Sequence, residues 1–366
     1  MINSLISIRD ISNAGILGLF ELAQEYNAQG RKRLDVAHNA IIATLFYEPS
    51  TRTRMSFEAA MLRLGGQVIS MADPGASSAV KGETLADTVR IVESYADIIA
   101  LRHPREGAAQ VAAEHAGVPI INAGDGAREH PTQTLVDLYT IYREIGRLEG
   151  VTVALCGDLK HGRTVHSLAQ GLARFGAHMI CVAPPGLELP PALVATLTQN
   201  FGVNIDSFST LDAAPLGDCD ALYVTRLQKE RFADPAELEK VRHSYVVSHD
   251  SLTRLRTNAI ILHPLPRVDE LDFALDGDPR AAYFRQAAYG VPVRMALISA
   301  LLGLRDIANL YETVHGEWGR YPRLYNCENA RCIINAEPGI PIRTEVRKDG
   351  TRRCGYCEKM EAACQR

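Results

Sequence analysis

The chain has 366 residues, 46% of them hydrophobic, and a formal net charge of −4. That length accommodates two compact lobes plus a small appendage, and the modest charge gives no global pull toward nucleic acid. No uninterrupted apolar run approaches the roughly 20 residues that span a bilayer, and residues 1–5 lack the basic-then-apolar pattern of a signal peptide, so a soluble cytoplasmic protein is expected.

Apolar spacing predicts a helix over 16–27 and a buried parallel strand over 40–46. Helical spacing resumes at 53–64 and stops at Gly65-Gly66. A strand at 68–71, a helix at 84–95, a strand at 97–101, a helix at 106–115 and a strand at 119–122 follow. A long helix over 131–145 reads as a bridge between lobes. A second series has strands at 151–156, 178–183, 221–225 and 260–263, a helix at 164–175 and a closing helix at 293–304. The fold class is therefore α/β, with two doubly wound parallel-sheet lobes joined by long helices. The first lobe spans 1–135 plus the closing helix (about 290–307), and the second spans 136–289. A linker at 308–326 leads to a cysteine-rich domain at 327–366, which reads as small, β-rich and ribbon-like. Ligands of such sheets sit at the carboxyl ends of strands, so the residues just after each strand are the candidates.

After the strand at 40–46 comes Tyr47-Glu48-Pro49-Ser50-Thr51-Arg52-Thr53-Arg54, then a helix. The first-turn amides of a helix attract an anion, hydroxyls add donors, and guanidinium forks fit phosphate oxygens. In isolation, a capped helix with solvated arginines would look the same. The run does not stand alone. It resembles the carbamoyl phosphate signature S-T-R-T-R of the aspartate and ornithine carbamoyltransferase family. Leu101-Arg102-His103-Pro104, Gly124-Asp125-Gly126 and His130-Pro131-Thr132-Gln133-Thr134-Leu135 keep the family's order across about residues 1–307.

The resemblance implies that Ser50, Thr51, Arg52, Thr53 and Arg102 hold the phosphate, with Arg54 a supporting or interface charge. Thr53, Arg102 and His130 would contact the carbonyl oxygen, and Gln133 the carbamoyl nitrogen. Residues 73–83, DPGASSAVKGE, read as a surface loop. The family's matching serine and lysine enter a neighbouring subunit's site; here they fall on Ser77, with Ser78 as the alternative, and on Lys81. The minimal active unit would then be a homo-oligomer with a trimeric core and shared active sites.

A substrate with two carboxylates needs further cations. Asp158-Leu159-Lys160-His161-Gly162-Arg163-Thr164-Val165-His166 resembles the family's second-lobe motif, which implies that Arg163 binds the α-carboxylate. Arg226-Leu227-Gln228 occupies the segment where ornithine enzymes carry S-M-G, and Arg226 and Gln228 suit an anionic acceptor. His263-Pro264-Leu265-Pro266-Arg267 replaces the ornithine branch's H-C-L-P. Leu265 and Pro266 would offer carbonyls to the carbamoyl nitrogen and the incoming amine.

The implied reaction turns carbamoyl phosphate and L-aspartate into N-carbamoyl-L-aspartate and phosphate, the committed step of de novo pyrimidine biosynthesis. The amine attacks directly and a tetrahedral oxyanion is stabilised electrostatically, with no catalytic cofactor. The catalytic set would be Arg52, Thr53, Lys81, Arg102 and His130. The lobes must close to join the substrates, so the segment around Arg226 is expected to move. A carbamoyltransferase for another amine, or an inactive assembly scaffold, are the alternatives.

Five of the eight cysteines crowd the last forty residues. Cys327, Cys332, Cys354 and Cys357 have the spacing of a closed tetrahedral thiolate site, which implies one structural zinc per chain. Disulfides are the rival reading, disfavoured in a reducing cytoplasm; Cys364 is left over. The segment resembles the zinc domain of the family's regulatory chain, in Asn335-Ala336-Glu337-Pro338 and Cys354-Gly355-Tyr356-Cys357-Glu358-Lys359. No room remains between Leu310 and Cys327 for that chain's nucleotide-binding domain, so no conventional ATP or CTP site is expected. The module would serve assembly, in cis, between trimers or with another pyrimidine-pathway subunit.

Overall fold

A computed structural model describes residues 4–71, 82–226, 245–311, 327–341, 343–346 and 351–361. The expected Ser77, Ser78, Lys81, Gln228 and Cys364, and nearly all of the expected linker, lie outside the described residues. The chain divides into two compact units, Met1–Thr132 with Val291–Arg366, and Gln133–Gly290.

The first unit is built on β1 (Ile41–Phe46), β2 (Gln67–Met71), β3 (Ile98–His103) and β4 (Ile120–Asp125). All pair in parallel, in the order β2-β1-β3-β4. β1, β3 and β4 are near-continuous buried runs, as strands covered on both faces must be. Helices α1 (Asn13–Ala28), α2 (Thr51–Leu64), α3 (Leu85–Val92) and α4 (Ala108–His115) connect and cover them. α2 buries Phe57, Ala60, Met61 and Leu64, a helical stripe of one face. It stops at Gly65, whose φ is 95° and where a β-carbon would lie 2.4 Å from the Leu34 carbonyl oxygen.

α5 (Pro131–Ile145) starts on a proline. The second unit's sheet has β5 (Thr152–Cys156), β6 (His178–Val182), β7 (Ile205–Phe208), β8 (Ala221–Val224) and β9 (Ile260–Leu262), ordered β7-β6-β5-β8-β9 and again parallel. α6 (Arg163–Arg174), α7 (Pro191–Phe201) and the short α8 (His249–Thr253) accompany it, and α9 (Tyr283–Leu301) closes the series. A third, antiparallel sheet of β10 (Thr344–Val346), β11 (Arg352–Cys354) and β12 (Met360–Glu361) lies in the cysteine-rich segment. Among the described residues, no helix is long and apolar enough to cross a membrane.

Several elements depart from expectation. The closing helix begins at Tyr283 rather than 293 and carries Pro292 inside it. α2 begins at Thr51, not 53, which places the S-T-R-T residues at its first turn. β3 runs through Arg102, which therefore lies in the strand and not after it. α7 and β7 went unpredicted, although Pro191 near the helix start and Gly202 (φ 66°) after its end are ordinary boundary signals. Tyr311, assigned to the linker, instead pairs with Ile11.

Candidate functional site

β1 delivers the chain to a turn in which Ser50 sits just before α2 with extended φ (−157°) and makes no side-chain cap bond to its own helix. The first amides of a helix have no intrahelical acceptor, and Thr51 and Arg52 are exposed beside them while Thr53 is buried. Arg102 lies alongside: it is in register with Phe46, and its carbonyl accepts the Tyr47 N–H at 2.8 Å. Its guanidinium is held from two sides. Nε is 3.4 Å from Glu48 Oε2, and Nη1 donates to the Ala123 carbonyl at 3.3 Å. Arg54 pairs with Glu58, one turn further along the same helix, at 3.6 Å.

His130 is buried in the loop between β4 and α5, its Nδ1 3.4 Å from the Thr132 hydroxyl. Two buried carboxylates shape that loop. Asp125 accepts from the Gly107 amide, the Asn122 side chain and Arg128, at 3.0, 3.0 and 3.2 Å. Burial pushes its carboxyl above the usual value, against the pull of Arg128 and these donors. Glu129 accepts from Ser7 Oγ at 2.8 Å and from the Ile8 amide at 3.2 Å. The candidates of this unit thus follow or end β1, β3 and β4, three consecutive neighbours in the sheet.

In the second unit, Arg163 opens α6 after β5, and Arg226 follows β8, the adjacent strand. Gly157 has φ 123° and lies so close to the Thr225 carbonyl that a β-carbon there would be 2.1 Å from it. Only glycine lets the carboxyl ends of these two strands meet, one residue short of Arg226. Asp158, fully buried, accepts the His161 amide at 3.0 Å and stiffens the turn before Arg163. Burial lowers His166, which bonds the Leu159 carbonyl at 2.8 Å.

Leu265 and Pro266 follow β9, next to β8; their peptide bond is cis, and Leu265 has φ 54°. The turn is pinned by His263. Its Nδ1 accepts the Leu265 N–H at 2.8 Å, so Nε2 carries the proton that goes to Glu270 Oε1 at 2.7 Å. Burial alone would raise the Glu270 carboxyl, but the His263 bond and backbone donors hold it below the usual range.

A chain of buried amides ties this turn to Gln133. Gln133 Nε2 donates to Asp137 Oδ1 at 2.7 Å, and Gln286 Nε2 donates to the same oxygen at 2.6 Å. Gln286 Oε1 in turn accepts the His263 N–H at 2.8 Å. Asp137, Gln286, Glu270 and Glu129 were missed by sequence reasoning. Glu129, and Asp137 with Gln286, are satisfied by partners distant in the chain, whereas Glu270 is held by His263 seven residues earlier.

The Sγ atoms of Cys327, Cys332, Cys354 and Cys357 lie within 4.8 Å of one another, and all four residues are buried. Cys327 and Cys357 are 3.4 Å apart, Cys332 and Cys354 3.8 Å, far beyond a disulfide bond. A tetrahedron with metal–sulfur bonds of about 2.3 Å has sulfur–sulfur edges of about 3.8 Å, so the cluster fits a four-thiolate metal site.

Comparison with known proteins gives a consistent match. Residues 3–143 match the family model "Aspartate/ornithine carbamoyltransferase, carbamoyl-P binding domain", and residues 149–301 match "Aspartate/ornithine carbamoyltransferase, Asp/Orn binding domain". The aspartate carbamoyltransferase catalytic subunit of Methanocaldococcus jannaschii is 51% identical over 302 residues, covering 81% of this chain and 97% of that protein. The corresponding subunit of Thermoplasma volcanium is 48% identical, covering 82% and 98%. A solved M. jannaschii catalytic subunit superposes with a TM-score of 0.78 at 50% identity, covering 83% of this chain and 98% of its own. A Trypanosoma cruzi aspartate transcarbamoylase, solved with carbamoyl phosphate and aspartate, gives 0.75 at 41% identity, covering 81% and 94%.

Proposed function

The chain belongs to the aspartate/ornithine carbamoyltransferase family, and we infer from that premise how its residues divide the reaction. It is an aspartate carbamoyltransferase: the carbamoyl group of carbamoyl phosphate passes to L-aspartate, giving N-carbamoyl-L-aspartate and phosphate. Phosphate sits against the first-turn amides of α2, Ser50, Thr51, Arg52, Thr53 and Arg102. The amine attacks the carbamoyl carbon, and Thr53, Arg102 and His130 stabilise the oxyanion that forms. Gln133 and the carbonyls of Leu265 and Pro266 receive the carbamoyl nitrogen. The leaving phosphate accepts the proton released by the amine.

The observation that carries aspartate as acceptor is the pair of arginines, Arg163 and Arg226, following adjacent strands β5 and β8. Arg163 takes the α-carboxylate; Arg226 and Gln228 take the side-chain carboxylate. Ser77 and Lys81 complete the site of a neighbouring subunit, which makes a trimer the working unit. A structural zinc occupies the four-cysteine site, supplies no chemistry, and holds the C-terminal module together. The free, buried thiols Cys156, Cys181 and Cys219 suit a reducing cytoplasm.

An acceptor screen tests the reading. Carbamoylation is expected with L-aspartate and at least about 100-fold less with L-ornithine, because the cationic side chain would meet the like charge of Arg163 and Arg226. Arg226→Ala should raise the aspartate KM at least about tenfold. Equal use of ornithine would overturn the acceptor assignment.

A further inference from the structure

Within the first unit the cysteine module is fastened at two loops, each adjoining a residue assigned above to the carbonyl oxygen, Arg102 or His130. The first is the segment after Arg102. The Glu106 amide donates to the Arg331 carbonyl, and the Glu106 carbonyl accepts the Ile333 amide, each at 3.0 Å. The Glu106 carboxylate accepts Asn329 Nδ2 at 2.7 Å. Next to it, Gly107 has φ 87°, and a β-carbon there would lie 2.6 Å from Cβ of Tyr356, a side chain with no exposed surface. Tyr356 packs into the same apolar cluster as Leu85, Val89 and Ala108.

The second loop is the one before His130. Glu358 follows the ligand Cys357 directly. Its Oε1 accepts Arg9 Nη2 and Arg128 Nη2, each at 2.5 Å, and its Oε2 pairs with Arg353. Arg128 then reaches Asp125 Oδ2 at 3.2 Å, and Asp125 accepts the Gly107 amide. Module, Gly107, Asp125, Arg128 and Glu358 therefore form a closed ring. Glu358 itself has φ 62°, a left-handed conformation that disfavours any side chain with a β-carbon. Glycine would be relaxed there, so the charge network holds a residue that the backbone alone would reject.

We propose that Glu358 is a positioning residue: it clamps the cysteine module to the Asp125–His130 loop and so sets the placement of His130 at the carbamoyl carbonyl. The proposal rests on the His130 role given above. The module is then a built-in brace for the electrophilic donors, and the four-cysteine site anchors the brace by fixing the turn that presents Glu358. A misplacement of about 1 Å at such a site can cost as much as about 100-fold in rate, so a modest loosening is visible in turnover.

The test uses the full-length, zinc-loaded protein carrying Glu358→Gln, which keeps the shape and removes the charge. Zinc per chain and KM for carbamoyl phosphate should stay within about twofold of the parent. Amide hydrogen exchange across 124–130 should quicken by at least about fivefold, and kcat should fall about five- to tenfold. In a His130→Ala background the same change should cost nothing further in kcat, because the positioned group is gone. Equal fold-losses in both backgrounds, or unaltered exchange and kcat, would overturn the proposal. Normal turnover by His130→Ala alone would instead remove the His130 assignment, and the positioning claim with it. Should Glu358→Gln lose zinc, the more exposed Arg9→Gln removes one arm of the clamp. It should quicken exchange in the same segment, and its failure to do so would equally overturn the proposal.

Discussion

Removing the Asp137 carboxylate should both destabilise the second unit and slow the reaction. Asp137 is fully buried, and one of its oxygens accepts from Gln133 at 2.7 Å and Gln286 at 2.6 Å. Hydrogen bonds to a charged acceptor are worth about 1.5–3 kcal/mol each, or about 3–6 kcal/mol for two. Sharing a single oxygen makes them less than additive, so about 3–4 kcal/mol is the expectation for Asp137→Ala. For a unit of this size each kcal/mol moves the melting point by about 2–4 °C, giving a fall of about 6–16 °C. Asp137→Asn keeps an acceptor oxygen and loses only the charge, so it should cost about half as much or less. Scanning calorimetry of the two variants orders them directly. The kcat of Asp137→Ala should fall as well, since Gln133 and the turn after His263 lose their common tether. A melting point within about 2 °C of the parent, or Asn costing more than Ala, would refute the reasoning.

Arg102→Ala and His130→Ala should each lower kcat at least tenfold, since one lost oxyanion donor typically costs about 2.7–4 kcal/mol; steady-state kinetics on the purified protein decides this. Glu270 gives a pH dependence with a definite sign. Its carboxyl titrates below its ordinary 4.5 in the folded state, so its contribution is present above that value and lost as pH falls through the folded value. The stability gap between parent and Glu270→Gln, measured by urea titration, should therefore shrink from about pH 6 to about pH 3. A gap that widened on acidification would contradict the assignment. Cys354→Ser should abolish stoichiometric zinc binding, because three thiolates and a hydroxyl make a poor closed site. Metal analysis reads this, and the C-terminal module should become sensitive to protease.

The strand–helix alternation was legible because parallel strands buried on both faces write apolar runs, such as Ile41–Phe46 and Ile260–Leu262. The S-T-R-T turn was legible because strand end, hydroxyls, arginines and helix start are contiguous in the chain. The first ten residues of the closing helix, Tyr283 to Pro292, were not legible, because a proline ordinarily breaks or begins a helix and this one lies inside it. Asp137 and Gln286 were invisible for a different reason. They are 149 positions apart, and a polar residue at helical spacing carries no mark of the partner that satisfies it. The cysteine spacing was plain, but its docking surface was not. Glu106 and Asn329 meet across 223 positions, and only the folded chain reveals why residue 107 has to be glycine.

The central claim is that this one chain carbamoylates aspartate. Incubating the purified protein with carbamoyl phosphate and L-aspartate, and following N-carbamoyl-L-aspartate and phosphate together, measures it directly. The two products should appear in equal amounts, with turnover dependent on aspartate and lost in Arg102→Ala. Phosphate release without carbamoyl-aspartate, or carbamoyl transfer indifferent to the acceptor's carboxylates, would contradict the account.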